Sequence, residues 1–331
     1  MPEPGPPPAP RKISPQHHLE WWLLKRATTW VQGGSFEEAS RKARVLARLG
    51  RHLLRSEWRW ATLNPRLIYG PALTDDALRK LAGLAFENVF LSHLEGMRVR
   101  DVRLLDDGLE HLREAYALGR GVIVAGVHLG CWEPGLRHLG ETGLPCAVVY
   151  RQANNPLSEE LFCQFRQDHG VEWISRRDPR QTLRTLEERK VLGLMVDINT
   201  RRKGVVAPYL GLPAMSPPGP ARLAIRFRCP VVPVVATREE SGLATFRVGK
   251  PIEPPLQGKG NALESSLTTT INSAFEGWIH TYAEQYNWLH ARWRTRPDGT
   301  LWRPSEPWQT LARSRTEPFR PLSERIRKIL A

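Results

Sequence analysis

Gly121-Val-Ile-Val-Ala-Gly126-Val-His128-Leu-Gly130-Cys-Trp-Glu133-Pro134 is the stretch at which the chain changes character. Residues 121–127 are an unbroken apolar run of strand length, rich in β-branched side chains, which suits a strand covered on both faces. Pro134 fits a first helical position and holds Glu133 near extended geometry, so the run leads through a short turn into a helix. His128 stands at the strand end with Glu133 beyond it, four residues between them. An imidazole of ordinary pKa near ~6.5 can take a proton from a hydroxyl, and a nearby carboxylate would orient the ring and stabilise the imidazolium. That pairing suits acyl transfer without a covalent enzyme intermediate; the competing reading is a packed histidine beside a helix-start carboxylate.

Outward from this turn, both flanks can be ordered. Downstream, short apolar runs at 121–127, 145–150, 171–174, 192–196 and 230–236 alternate with helical stretches, as in βαβ units, and 243–249 reads as a further, antiparallel edge strand. Upstream, periodic apolar positions predict helices over 18–32, 36–60 and 75–95. The fold class expected is α/β, a central mostly parallel sheet flanked by helices with a helical N-terminal region. The expected division is a proline-rich flexible segment over 1–16, a domain over 17–298 (helical over 17–118, α/β over 119–298) and a basic tail over 299–331.

Polar residues come directly after each strand: His128 after the first, Tyr150 and Arg151 after the second, Ser175, Arg176 and Arg177 after the third, Asp197 after the fourth. In an open parallel sheet, ligands bind outside the carboxyl ends of the strands. Each residue alone fits a surface pair or a capped turn; together they favour one site. Arg151 and Arg176 suit phosphate, because guanidinium forks match its oxygens two at a time.

Composition limits the alternatives. The 331 residues are 41% hydrophobic, enough for a full core, and the four cysteines stand singly, without zinc-knuckle or disulfide-framework spacing. No apolar run reaches the ~18 residues that span a bilayer, and the start does not read as a signal peptide. The net charge of +14 is concentrated at the ends: residues 1–60 hold 11 Lys/Arg against 5 Asp/Glu, and residues 286–331 hold 10 against 4. Trp21, Trp22, Trp30, Trp58 and Trp60 accompany the first cluster, and Trp288, Trp293, Trp302 and Trp308 the second. Tryptophan beside arginine suits an anionic membrane interface. Nucleic acid is the competing partner, disfavoured because no zinc finger, RNP-type aromatic pair or glycine-rich arginine repeat occurs. Neither Gly-x-Ser-x-Gly nor a nucleotide-binding glycine loop is present, which argues against a serine hydrolase and a nucleotide enzyme.

Five ordered blocks resemble a known family. The segment from Gly126 to Glu133 is similar to the histidine-four-residues-carboxylate motif of the lysophospholipid acyltransferase superfamily, in the form found in bacterial late acyltransferases of lipid A biosynthesis. Tyr150-Arg-Gln-Ala-Asn-Asn155-Pro156, Asp197 with Lys203-Gly204 and Pro208-Tyr-Leu-Gly211-Leu-Pro213-Ala214, Gly219-Pro-Ala221 with Pro230-Val-Val-Pro233, and Glu284-Gln-Tyr286-Asn-Trp288-Leu-His290-Ala-Arg292 through Pro297 resemble its further blocks. The resemblance spans about 36–298. It departs at Cys131, where asparagine is common, and at Asp197-Ile-Asn199, and in lacking the N-terminal membrane-spanning helix usual in the group.

The resemblance implies an acyltransferase that moves a fatty acyl group from an acyl carrier protein or coenzyme A thioester to a hydroxyl of a phosphate-bearing lipid or glycolipid, such as a lipid A precursor. His128 would be the base and Glu133 its support. Arg151, Arg176, Asp197, Lys203, Gly204, Pro208 and Gly211 would bind substrate, with Pro208–Ala214 shaping an acyl groove, and an amide near Gly130 is the oxyanion candidate. No metal or cofactor beyond the thioester is required. The place of action implied is the cytoplasmic face of the inner membrane, with interfacial attachment, and an acidic carrier protein would suit the basic surface. A lysophospholipid or other glycolipid acceptor, or a lipid- or nucleic-acid-binding protein without chemistry, remain the alternatives.

Overall fold

The computed structural model describes residues 13–201, 203–255, 260–303 and 306–331. Most of the proline-rich segment expected over 1–16 thus lies outside the described residues. Helix begins earlier than expected, because Ser14 caps α1 (Pro15–Gln32) through its hydroxyl with Pro15 in the first turn. Ser35 and Glu38 form a reciprocal cap on α2 (Phe36–Leu53).

The helix predicted over 36–60 is two helices, broken at Leu54 before α3 (Arg55–Tyr69). The small residues Ala39, Ala43, Ala47 and Gly50 form the buried stripe of α2. They let it lie close on α4 (Asp75–Met97): a Cβ at Gly50 would stand 2.9 Å from the Phe90 ring. The apolar stripe of α3, with Trp60, Leu67 and Ile68, has a different phase, and the break at Leu54 rotates it inward.

Beyond β1 (Leu104–Asp107) and α5 (Leu109–Ala117), the α/β part runs β2 (Val122–Gly130), α6 (Trp132–Glu141), β3 (Cys146–Tyr150), α7 (Pro156–Arg166), β4 (Glu172–Ser175), α8 (Pro179–Glu187) and β5 (Val191–Met195). Next come a hairpin of β6 (Val205–Tyr209) and β7 (Leu212–Ser216), then α9 (Gly219–Phe227), β8 (Val231–Arg238), β9 (Ala244–Val248), α10 (Asn261–Ser273) and α11 (Glu276–Thr281). The seven-stranded sheet has the order β1-β9-β8-β2-β5-β3-β4. It is parallel from β8 to β4; β9 runs antiparallel to β8 and parallel to β1. The antiparallel strand expected over 243–249 is therefore β9, but it is covered by β1, a four-residue edge strand too short and too exposed to carry a sequence signal.

The stretch 208–214, to which the resemblance assigned an acyl groove, belongs to the β6–β7 hairpin, which Pro208 and Pro213 hide from a strand reading. Its two-residue turn, Leu210-Gly211, has both φ values positive, 52° and 75°. Leu210 is buried and holds this strained geometry partly by donating its N–H to Glu276 Oε1 at 3.0 Å.

The basic tail expected over 299–331 is instead a strap. Thr316 N–H donates to the Gly211 carbonyl at 3.1 Å and Arg320 N–H to the Ile68 carbonyl at 3.2 Å, joining the hairpin turn to the end of α3. Arg320 pairs with Glu276 at 2.7 Å and Arg325 with Glu284 at 2.8 Å. Ile326 closes the strap, fully buried in the main core. Trp288, Trp293 and Trp302 are core residues at 0%, 2% and 3% exposure, so these three indoles belong to the interior, while Arg303, Arg313, Arg327 and Lys328 remain exposed.

Truncating Ile326 to alanine is expected to cost about 2–4 kcal/mol, the range for a buried isoleucine that leaves a cavity. Urea unfolding measures this; a loss below about 0.5 kcal/mol would mean that the strap adds cover without stability.

Candidate active site

The order β2-β5-β3-β4 places the polar residues at the ends of these four strands along one edge of the sheet. His128 and Asp197 are brought together because β2 and β5 are parallel neighbours, Gly126 opposite Met195. Asp197 Oδ1 lies 2.9 Å from His128 Nδ1, and Oδ2 accepts the backbone N–H of His128 at 2.9 Å. One carboxylate therefore fixes both ring and main chain. Asp197, read from sequence as a substrate ligand, is the direct partner of the histidine.

Burial pulls the His128 pKa down, but the charge and hydrogen bond of Asp197, with the charge of Glu133, outweigh it and leave it above the ordinary 6.5. Asp197 is 3% exposed; burial pushes its pKa up, and the charge and hydrogen bonds of His128 bring it below its ordinary value. His290, whose pKa is pulled down to about 4 by burial, accepts the N–H of Asn199 at 2.8 Å and braces the backbone just beyond Asp197. With Nδ1 held, Nε2 of His128 has no hydrogen-bond partner among the described residues and is free to receive a proton.

Glu133 sits elsewhere. Its carboxylate lies 3.5 Å from His169 Nε2 and 3.9 Å from Arg166, and no hydrogen bond joins it to His128 among the described residues. Burial raises its pKa, yet His169 and Arg166 more than offset this and keep the acid ionised. The expectation that Glu133 orients the imidazole is corrected: Asp197 orients it, while Glu133 contributes charge. Spacing along a strand-to-helix turn brings the two side chains near, but α6 aims Glu133 at α7 and His169. The Trp132 ring stands edge-on to His128 at 5.4 Å and to His93 of α4 at 6.0 Å between centroids. His93 and His169 carry no signal in the sequence.

The remaining predicted residues spread outward. Arg151 is exposed and bonds Asn154 at 3.1 Å; Arg176 is exposed, its N–H on the Tyr150 carbonyl at 2.9 Å. At a strand spacing of ~4.8 Å they stand about two and three strands from His128. Gly130 has φ +65°, and a Cβ there would meet the Ala236 carbonyl at 2.0 Å, so only glycine fits. The Cys131 N–H is already donated to that carbonyl at 2.8 Å. Lys203 is exposed, and Gly204 packs on Met215 and Thr200, where a Cβ would stand 2.6 and 2.9 Å from them. Pro208 lies in strand β6 and Gly211 in the hairpin turn. A small cavity between hairpin and strap, lined by Leu212, Pro213, Trp293, Pro297 and Leu311, contains none of these site residues.

Residues 84–295 match the family described as bacterial lipid A biosynthesis acyltransferase. The chain is 28% identical over 242 residues to the lipid A biosynthesis lauroyltransferase of Escherichia coli (strain K12), across 69% of this chain and 76% of that protein. It is 27% identical to the lipid A biosynthesis palmitoleoyltransferase of the same organism, across 58% of this chain and 62% of that one. With the phosphatidylinositol mannoside acyltransferase of Mycolicibacterium smegmatis the identity is 25%, across 56% and 60%. The last two matches span less than two thirds of those relatives. Fold and matches together define an α/β acyltransferase. The chain belongs to the bacterial lipid A biosynthesis acyltransferase family.

Asp197→Asn is expected to slow turnover more than Glu133→Gln does, and His128→Ala by on the order of 10²–10⁴-fold. Because a protonated imidazole cannot accept a proton, kcat should fall as pH drops through the raised His128 pKa. In Asp197→Asn that inflection should move to lower pH. The pH profile of kcat reads both, and an unmoved inflection would detach Asp197 from the chemistry.

Proposed function

We propose that this acyltransferase moves a fatty acyl group from a carrier protein or coenzyme A thioester to a hydroxyl of a phosphorylated glycolipid, a lipid A precursor being the leading case. His128, held by Asp197 at the sheet edge, carries the reading. The hydroxyl oxygen attacks the thioester carbonyl as its proton passes to His128 Nε2; the C–S bond then breaks, and the imidazolium returns the proton to the leaving thiolate. Asp197 and Glu133 supply negative charge to stabilise the imidazolium. An amide near Gly130 is the donor proposed for the developing oxyanion, and no cofactor beyond the thioester enters the scheme.

The arginines favour the acceptor class. Arg151 and Arg176 are two and three strands from His128, whereas a lysophospholipid carries its phosphate within a few bonds of its free hydroxyl. A phosphorylated glycolipid, with a sugar between the two groups, spans that gap better. The names of the relatives support the same class: lipid A for two, a phosphatidylinositol mannoside for another.

The acceptor would come from a membrane surface. No helix among the described residues is long and apolar enough to cross a bilayer. Helix α1 instead leaves Leu19, Trp22, Leu23 and Trp30 about half exposed, and α2 does the same with Val45 and Leu49. Lys25 lies over the Trp21 ring, Arg26 over Trp22 and Lys42 over Trp30, so cations and indoles are interleaved as an anionic headgroup layer requires. Asn155 Nδ2 donates to the His17 carbonyl at 2.8 Å, which seats α1 beside the loop that carries Arg151. Attachment face and phosphate-binding arginines are thereby contiguous, and the cytoplasmic leaflet is the proposed location.

Incubating the protein with acyl thioesters and phosphorylated or dephosphorylated glycolipids, with products read by mass, tests the reaction. Arg151→Met and Arg176→Met should raise acceptor KM more than they lower kcat, with lysine restoring only part because the bidentate fork is lost. Equal use of a dephosphorylated acceptor would remove phosphate from the reading. Flotation on anionic vesicles should weaken in molar salt, where the Debye length is ~3 Å; binding that ignores salt and headgroup charge would give the basic face another purpose.

A further inference from the structure

Behind the turn that carries His128 lies a second polar cluster that no sequence pattern marked. Arg238, at the end of β8, reaches back to α4 and bonds Glu95 with two nitrogens, Nε at 2.7 Å and Nη2 closer still; Glu95 is 5% exposed. The same guanidinium donates to Asn88 Oδ1 and, at 3.1 Å, to Ser92 Oγ. Ser92 Oγ in turn contacts the carbonyl oxygen of Gly130. The partners are 38 to 150 residues apart in sequence, so the cluster is a tertiary construction rather than local capping.

The direction of these bonds can be worked out. A serine hydroxyl has one proton, and Arg238, which can only donate, occupies a lone pair of Ser92. The proton must then go to a carbonyl, and two are in range: Asn88 at 2.9 Å, one helical turn back, and Gly130 across the turn. A serine serving only its helix would bond Asn88. Here it faces the turn two residues after His128. Arg238 is itself immobilised, its N–H on Gln285 Oε1 at 2.9 Å and its carbonyl accepting Gln285 Nε2 at 2.8 Å. A buried ion pair is a poor source of stability compared with apolar packing of the same volume, and its best-attested use is to select one geometry.

We infer that Glu95, Arg238 and Ser92 form a positioning relay for the acyl-transfer site, a charge-assisted chain that locks the Gly130 carbonyl and so keeps His128 and Trp132 in a single register. The inference rests on His128 being the base. Besides the Asp197 contacts, Asn287 N–H on the His128 carbonyl at 2.9 Å and Cys131 N–H on the Ala236 carbonyl at 2.8 Å hold the two sides of the turn. The relay holds its middle. None of its three side chains needs to touch substrate; they are positioning residues.

Ser92→Ala tests the last link. Its kcat is expected to fall on the order of 10–100-fold with KM for thioester and acceptor within about twofold, since a misplaced base weakens the transition state rather than binding. Arg238→Lys, with the charge but not the fork, should fall between wild type and Arg238→Met. Because Arg238→Met leaves Glu95 buried without its partner, the paired variant Glu95→Gln with Arg238→Met, which removes both charges, is the one to use if the single variant does not fold. It should match Ser92→Ala. An independent readout is the NMR titration of the His128 ring, which needs no substrate. In each variant of the relay its pKa should move down, as the grip of Asp197 loosens. Wild-type kcat and an unshifted His128 titration in folded Ser92→Ala would overturn the relay. Absence of any acyl transfer by the wild-type protein would instead refute the proposed reaction while leaving the titration to decide on the relay.

Discussion

The carboxylate of Asp197, placed between strands β2 and β5, is the constraint on which the site depends. It is almost inaccessible to water and accepts two hydrogen bonds from a single residue, one from the His128 backbone and one from its ring. A buried acid survives as an anion only when donors compensate its lost hydration, and here both donors come from the residue it must orient. The parallel pairing of β2 with β5 sets that contact: a slip of one position would turn the imidazole to the other face of the sheet. The bulged pairing of β2 with β8 between Gly126 and Gly130 then frees the strand to turn into α6.

Around this pair, charge is arranged in layers. The acidic residues near His128 have partners on their far sides: Glu133 has the His169 ring and Arg166, and Glu95 has Arg238. Arg166 is itself stacked on Tyr150 and Trp173, 4.9 and 4.7 Å from their ring centres. Such aromatic faces stabilise a cation without offering it a proton acceptor. The result is a setting where negative charge is available to an imidazolium but, among the described residues, Asp197 is the carboxylate that bonds its ring.

Much of this was legible in the sequence, and the illegible remainder has physical causes. Periodicity marks the five parallel strands, the antiparallel strand and helices near 18–32, 36–60 and 75–95; it does not mark α10, split α2 from α3, or find β1, with four mostly exposed residues, or the hairpin, whose Pro208 and Pro213 disfavour strand. Placing His128 and Asp197 at strand ends required only the βαβ rule, but pairing them required the strand order, which sequence order conceals: β5 inserts between β2 and β3. Hence sequence proximity assigns to Glu133 the role that spatial proximity gives to Asp197. The charge count at the C-terminal end misleads for a related reason. Arg315, Arg320 and Arg325 are spent on carbonyls and carboxylates of the same chain, which composition cannot distinguish from a free basic surface. His93, His169, Ser92 and Arg238 are isolated residues in helix, turn and strand, with no spacing to mark them.

The strap has a consequence for how the chain acquires its structure. Arg315 reaches the carbonyl of Leu67, 248 residues earlier, and Arg320 and Ile326 extend the same closure around the end of α3. During synthesis, which proceeds from the N-terminus at ~5–20 residues per second, the helical region would be complete long before its last covering segment emerged. For that interval the end of α3, with Leu67 and Ile68, lacks the cover it has in the finished protein, while Trp22 and Trp30 of α1 stay exposed even there. A nascent chain in that state would present two apolar surfaces, one permanent and one temporary. Early contact with a bilayer or a chaperone would then guide folding as well as localise the product, and the speed with which the final segment docks would limit how long the unfinished core is at risk of aggregation.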